Sequence, residues 1–339
     1  MTQIIDRRHM TGNTENHEGG SGVVQPRKNL LFFCTRGQQF ADFEVIARRI
    51  RARAPDIATF VFTTRAAARP LLAGPWLVLR PTVSIEMDGR DRRPRTLRGT
   101  RLGHSGFSGK IDEYKQIDAQ DLPLPKWTEI TPETSLDPET WGPYVVVKPS
   151  MGLRGAFVWI HKTGRVRFRP CSAYPEDHPG RRGPMLAQRF IFSGPWPVSY
   201  RVLTYFGVPV MACRYEGRHD MAPLESADGI KKAGGGLSIV APAKGGTITL
   251  AADPDILDLA RRTHAAFPQI PSLGVDIVRE RVTGKLYLME VNSGGDTWSF
   301  SNDSGLEMQA QFGFDFRTQF NFLDLVANRS IEIAREYAC

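Results

Sequence analysis

Residues 30–35 read LLFFCT, an almost unbroken apolar run of the kind that forms a strand buried on both faces. Phe43, Ile46, Ala47 and Ile50 then recur at helical spacing with arginines opposite, which predicts an amphipathic helix. Residues 58–63 (ATFVFT) predict a second strand and residues 76–79 a third. Strand, helix, strand in this order predicts a small parallel α/β unit. The Arg36-Gly37-Gln38 loop lies at a strand's carboxyl end, where ligands collect in such units. No Gly-x-Gly-x-x-Gly follows, so no dinucleotide site is assigned.

Further on, Ser108-Gly109-Lys110 opens a helix through Ile111, Tyr114 and Ile117, and Pro123 and Pro125 break the chain. After a proline-containing connector at 132–143, residues 144–160 (YVVVKPSMGLRGAFVWI) predict two apolar strands around a turn with Gly152 and Gly155. The first strand ends in Lys148-Pro149. A lysine there, beside outward-facing turn amides, suits a phosphate; a plain hairpin with a snorkelling lysine has the same pattern. Residues 165–184 read as a surface excursion, and 185–192, 198–206 and 208–214 as strands, the last two joined at Gly207. Residues 217–232 form a polar loop before Gly234-Gly235-Gly236, which marks either close backbone approach or a mobile loop. Asp253-Pro254 starts a helix to Phe267 by cap and first-turn proline. Residues 316–337 predict a closing helix that buries Phe316, Phe320, Leu323 and Val326.

Between these helices, residues 272–298 (SLGVDIVRERVTGKLYLMEVNSGGDTW) predict two apolar strands joined by a polar stretch with a Thr-Gly turn. Glu290 and Asn292 are two apart, so they leave the second strand on one face. If the strands pair, Asp276 joins them. Their oxygens suit a hard cation such as magnesium; a surface hairpin with solvated acids is the other reading.

Composition narrows the function classes. At 339 residues, with 41% hydrophobic and 24% charged residues, the chain has the make-up of a soluble globular protein of two or three subdomains. No apolar run approaches membrane-spanning length, and the start lacks the apolar core of a secretory signal. Residues 1–27 are polar and glycine-rich and read as a disordered arm. Cys34, Cys171, Cys213 and Cys339 are scattered, which fits free thiols and a cytoplasmic location. The net charge of +8 favours anionic partners, but no aromatic-basic stripe supports nucleic acid. The basic run at 89–101 reads as a solvated loop closing the first domain, or as an anion site. His104, His161, His219 and His264 form no paired set.

The order of these features (Lys110 before a helix, Val-Val-Lys-Pro with a glycine turn, Gln188-Arg189-Phe190-Ile191, Arg201 on the next strand, Gly-Val-Asp-Ile, then Glu-Val-Asn) resembles the ATP-grasp superfamily of carboxylate–amine ligases, nearest the RimK-like and amino-acid or dipeptide ligase branch. The resemblance runs from about Lys110 to Asn292. It implies an α/β (α+β) fold with a small parallel α/β domain at 28–103, a central subdomain at 104–187 carrying a glycine-containing lid, and a C-terminal subdomain at 188–339 carrying the metal site. It implies ATP and two magnesium ions as cofactors. Lys110 and Lys148 would hold phosphates, Ser150, Gly152 and Gly155 would form the lid loop, and Gln188 to Ile191 the strand beside adenine. Asp276, Glu290 and Asn292 would be metal ligands. Arg201 and Arg214 would be catalytic or substrate-binding, with Lys232, Gly235 and Ser293 near the acceptor. Ser199 stands where the family often has Asp, and Ser293-Gly294-Gly295-Asp296 replaces the usual tail, which bears on the second substrate. The implied reaction activates a carboxylate as an acylphosphate and joins it to an amine, releasing ADP and phosphate. The partners implied are small carboxylates and amines, or a peptide, and dimers are common in the family. A peptide-tailoring ligase, a non-catalytic nucleotide-binding protein and a phosphotransferase are the competing readings.

Overall fold

The unbroken apolar run becomes β1 (Lys28–Phe33), in which Leu30, Leu31, Phe32 and Phe33 are fully buried. In the computed structural model the described residues are 27–35, 39–63, 80–87, 97–103, 109–152, 156–220, 223–224, 246–293 and 298–339. After β1, α1 (Phe40–Arg53) buries Phe43, Ile46, Ala47 and Ile50, the stripe its spacing predicts. β1 forms a parallel sheet with β2 (Ile57–Phe62), β3 (Thr82–Glu86) and β4 (Thr100–Leu102), in the order β2-β1-β3-β4. The strand expected at 76–79 lies outside the described residues. β3 escaped notice because it alternates polar and apolar residues yet is wholly buried. Each of its polar side chains meets a partner from elsewhere in the chain: the Thr82 hydroxyl accepts from Asn29 (3.1 Å), Ser84 donates to the Thr100 carbonyl (3.2 Å), and Glu86 meets Arg101 at 2.7 Å. Arg27, assigned by sequence to the arm, donates its N–H to the Asp56 carbonyl beside this sheet.

The chain continues through α2 (Lys110–Asp118), β5 (Trp127–Glu129), the short α3 (Pro138–Trp141), β6 (Tyr144–Pro149), β7 (Trp159–Lys162) and β8 (Met185–Arg189). These strands form an antiparallel sheet in the order β5-β8-β6-β7. Then come β9 (Val198–Tyr205), β10 (Val208–Glu216), β11 (Thr247–Leu250), α4 (Pro254–Ala265), β12 (Ser272–Arg279) and β13 (Leu286–Ser293). They make a third sheet, also antiparallel, in the order β11-β10-β9-β12-β13. β9 and β10 are joined at Phe206-Gly207, both at positive φ, as a tight hairpin turn requires. The architecture is thus mixed α/β, with one parallel and two antiparallel sheets.

The third sheet carries two cores. On one face Tyr200, Val202, Val275 and Ile277 pack with Ile111, Tyr114 and Ile117 of α2 and with Ile256 and Leu259 of α4. On the other, Leu203, Tyr205, Cys213 and Tyr215 pack with β1, α1 and the C-terminal helices. Trp298, Phe300, Phe316 and Phe322 fill this second core, and the Phe300 and Phe322 rings stack at 3.7 Å. Buried Asp42 of α1 pins that segment by accepting from Trp298 Nε1 (2.9 Å) and Ser301 Oγ (2.6 Å).

The C-terminal segment departs from expectation. After α5 (Asp303–Phe312), the predicted single helix is divided into α6 (Arg317–Phe320) and α7 (Phe322–Tyr337). Asn321, at φ 49°, is left-handed and rotates the stripe, so Phe322 takes the core position while Phe320 and Leu323 are only half-buried. Phe316 and Val326 are buried as expected. Asp253 precedes α4 but its side chain makes no cap bond; it lies 3.7 Å from Arg279. Among the described residues no helix is long and apolar enough to cross a membrane.

Candidate active site

The site begins with the β12–β13 hairpin. Asp276 pairs with Glu290 and Gly274 with Asn292 across the strands. The register then shifts: Ile277 pairs with Leu288, leaving Met289 as the extra residue of a β-bulge next to Glu290. On its other side Asp276 faces Arg201 of β9. The guanidinium grips it bidentately, Nε to Oδ1 and Nη2 to Oδ2, both at 2.7 Å, and Asn292 Nδ2 donates to Oδ2 at 3.1 Å. Glu290 receives the ammonium of Lys110, at the first position of α2. α2 can start so close because residue 109 is glycine: a Cβ there would lie 2.5 Å from Ser150 Oγ. The Ser150 carbonyl accepts from the Lys110 N–H at 2.9 Å, docking the helix start onto the end of β6.

A second cation enters from β6. Lys148 is buried (6% exposed) and donates to the Tyr114 hydroxyl (2.6 Å) and to Gln188 Oε1 (2.9 Å). Tyr114 Oη also accepts from Gln188 Nε2 (3.1 Å) and donates to the Met289 carbonyl (2.6 Å). Glu113 is buried beside it, its Oε1 accepting from the Val291 N–H at 2.7 Å.

These groups perturb one another. Burial, then the like charge of Lys110, pulls the Lys148 pKa down to about 8. Burial opposes ionisation of both Lys110 and Glu290, yet each offsets it for the other, so Lys110 is held above and Glu290 below its ordinary value. Burial lifts Glu113 to about 8 against the pull of Lys110, so at neutral pH it is largely uncharged. Among the described residues, Lys110, Lys148 and Arg201 therefore face Asp276 and Glu290 as their carboxylate partners. Among the described residues the arrangement holds one more positive charge than negative, and the ammonium of Lys148, its pKa pulled down first by burial, lacks full compensation. An anion bound there would supply it.

The donor set also fits a hard divalent cation. Glu290 Oε1 and Asn292 Oδ1 make no hydrogen bond among the described residues. Asp276 would have to share oxygens already held by Arg201. Among the described residues no group of three His, Cys, Asp or Glu could hold a metal, so a metal site here needs the amide oxygen of Asn292.

Other expected residues are placed as follows. Arg189 turns its side chain to Glu280 (3.0 Å) and spends its N–H on the Lys126 carbonyl (2.7 Å), which leaves only its carbonyl to offer a ligand. The N–H of buried Ile191 has no hydrogen-bond partner among the described residues. Phe190 between them donates its N–H to the Tyr144 carbonyl. Gln188 points inward to Lys148, as above. A Cβ on Gly152 would touch Pro149 Cγ at 3.0 Å; Gly155, Lys232 and Gly235 lie outside the described residues.

Arg214 and Ser293 are not brought to the site. Arg214 pairs across the sheet with Tyr200, and Ser293 with Leu273, whereas Arg201 pairs with Asp276. Strand alternation therefore sends both to the opposite face from Arg201, Asp276 and Glu290. Arg214 is bound there by Glu216 at 2.6 Å. Grouping Arg214 with Arg201 took no account of this register. Sequence reading also missed Glu113 and the role of the Tyr114 hydroxyl. The signal was present: residues 110, 113, 114 and 117 form one helical stripe, so an acid at 113 must be buried beside Lys110.

No protein-family model matches the chain, and no curated protein matches it. Solved structures do match. D-alanine–D-alanine ligase from Bacillus anthracis, complexed with ATP, is 12% identical with a TM-score of 0.42, over 92% of this chain and 100% of that one. The ATP-grasp ligase PsnB, complexed with precursor peptide PsnA2 and AMPPNP, is 13% identical with a TM-score of 0.47, over 92% and 99%. The macrocyclase MdnC from Microcystis aeruginosa MRC, bound with precursor peptide MdnA, is 12% identical with a TM-score of 0.46, over 90% and 99%.

Proposed function

We propose that the chain is an ATP-grasp carboxylate–amine ligase that activates a carboxylate as an acylphosphate and joins it to an amine, releasing ADP and phosphate. The substrates are of the amino-acid or dipeptide type. The observation that supports this best is the meeting of buried Lys148 and Lys110, from different elements, with a carboxylate–amide set on one hairpin, leaving positive charge in excess. A magnesium nucleotide is the ligand that would satisfy both halves: Lys148 and Lys110 would hold its phosphates, and Glu290, Asn292 and a share of Asp276 would hold its metal. The Arg189 carbonyl and the Ile191 N–H offer the acceptor and donor that an adenine edge requires. The three sheets would form the N-terminal, central and C-terminal parts, with the second boundary after β8 at Arg189 and not between 187 and 188, because that strand belongs to the middle sheet.

The chemistry is one of charge. A carboxylate attacks a phosphate poorly because both are anionic. Lys148 and Lys110 offset that repulsion from positions set by hydrogen bonds to Tyr114 and Gln188 and by the ion pair with Glu290. Magnesium, when bound, spreads the charge of the transferred phosphoryl group. Arg201 stabilises the oxyanion formed when the amine attacks the acylphosphate, releasing Asp276 in part as it does so.

Glu290→Ala and Lys148→Ala should each abolish ATP-dependent phosphate release while thermal unfolding stays cooperative. Wild-type rates in both variants would refute the reading. Release stimulated by amino-acid pools supports the proposed substrate class. A second reading, a ligase acting on a longer peptide, is favoured by one surface: Trp159 and Phe168 are 57% and 42% exposed in a stretch that also carries Arg165, Arg167 and Arg169. Release stimulated by acidic peptides alone would select it.

A further inference from the structure

β13 is the edge strand of its sheet, and an edge strand leaves main-chain donors and acceptors unpaired. Around Glu290 those groups are taken by side chains of α2. Tyr114 donates to the carbonyl of Met289, the bulge residue, and Glu113 accepts from the N–H of Val291. Lys110 of the same helix bonds the Glu290 carboxylate. One helix therefore holds residues 289, 290 and 291 through side chains at 114, 110 and 113. The Pro123 carbonyl takes the Leu288 N–H at 2.8 Å, so the edge is covered on both sides of the bulge. The Tyr114 hydroxyl also accepts from Lys148 and Gln188 of the middle sheet. Its one donor and both acceptor positions are used, so it links the two halves of the site.

We propose that Glu113 and Tyr114 are positioning residues: Glu113 fixes the direction of Glu290 by holding Val291, and Tyr114 fixes the bulge and Lys148 together. This rests on the nucleotide reading above. A bulge is the least constrained point of a strand, and an edge bulge without partners would let Glu290 swing. A carboxylate that swings binds a metal weakly, and loss of a group that orients a ligand lowers metal affinity about 10–100-fold.

The test compares Glu113→Ala, which removes the acceptor for Val291, with Glu113→Gln, whose amide oxygen restores it. Binding of AMPPNP is measured against magnesium concentration, and amide exchange at Val291 is followed in the ligand-free protein. In E113A the magnesium needed for half-saturation should rise about tenfold or more, and Val291 should exchange faster; E113Q should recover most of both. Tyr114→Phe should weaken AMPPNP binding even at saturating magnesium, because Lys148 loses a fixed partner. Wild-type protein that binds no AMPPNP overturns the nucleotide reading and this inference with it. Wild type that binds, with E113A matching it in magnesium dependence, overturns the inference alone. So does an E113Q variant as impaired as E113A.

Discussion

Lys148→Met should make the ligand-free protein more stable while removing nucleotide binding. The folded state holds the Lys148 ammonium in a buried setting beside a like charge, and its pKa falls from 10.5 to about 8. Each pH unit of such a gap corresponds to about 1.4 kcal/mol, so keeping the charge there disfavours the fold by about 3 kcal/mol at pH 7. The unfolded chain keeps its proton up to pH 10.5 and the folded one only to about 8. The penalty is therefore complete below pH 8 and fades as pH rises towards 10.5. Methionine fills similar volume without charge. Its insertion leaves Gln188 Oε1 without its donor, a loss of about 1 kcal/mol, while Tyr114 keeps its bonds to Gln188 and Met289. The net gain is about 2 kcal/mol. Urea unfolding of wild type and K148M at several pH values checks this: the midpoint should rise in K148M at pH 7, and the difference should shrink by pH 10. Saturating magnesium–AMPPNP at about 100 times its dissociation constant should stabilise wild type by about 2.7 kcal/mol and K148M by nothing. A K148M protein less stable than wild type at pH 7, or one that the nucleotide still stabilises, would show that Lys148 serves the fold and not a bound anion.

Two further outcomes concern the scaffold. Asp42→Ala leaves the buried Trp298 indole N–H without its acceptor, and should lower unfolding stability by about 2–3 kcal/mol; a loss below about 0.5 kcal/mol would mean that α1 and the 298–301 segment do not depend on this bond. His264 is 2% exposed, and burial lowers its pKa from 6.5 to about 4. The unfolded chain takes up that proton below pH 6.5 and the folded chain only below about 4, so stability should fall between those values as pH drops, by about 3 kcal/mol in all. His264→Asn should flatten this slope, and an unchanged slope in a pH series of unfolding midpoints would rule out His264 as its source.

Much of the site was legible because its signals are local. The hairpin at 272–293 announces itself through two apolar runs around a Thr-Gly turn, and the two-residue step from Glu290 to Asn292 already puts both on one face. The stripe of Ile111, Tyr114 and Ile117 likewise predicts α2 with Lys110 at its start. β1 follows from its unbroken apolar run and α1 from its hydrophobic period. Where the pattern misleads, burial is satisfied by polar partners distant in sequence. β3 carries Thr82, Ser84 and Glu86 into the interior because Asn29, Thr100 and Arg101 meet them there. Asn321 breaks the closing helix at a residue whose left-handed backbone no spacing reveals.

Only the tertiary structure decided which charges face one another. Arg201 and Arg214 read alike as strand arginines, but the β9–β10 register sends one to Asp276 and the other to Glu216 on the far face. The stripe at 110, 113, 114 and 117 marks Glu113 as covered, but only the packing of α2 along the edge of β13 sets it against Val291. Periodicity reports which face of an element is covered. The partner on that face is set by register and packing between elements far apart in the chain, and the separation of Lys110 from Glu290 by 180 residues is the measure of that distance.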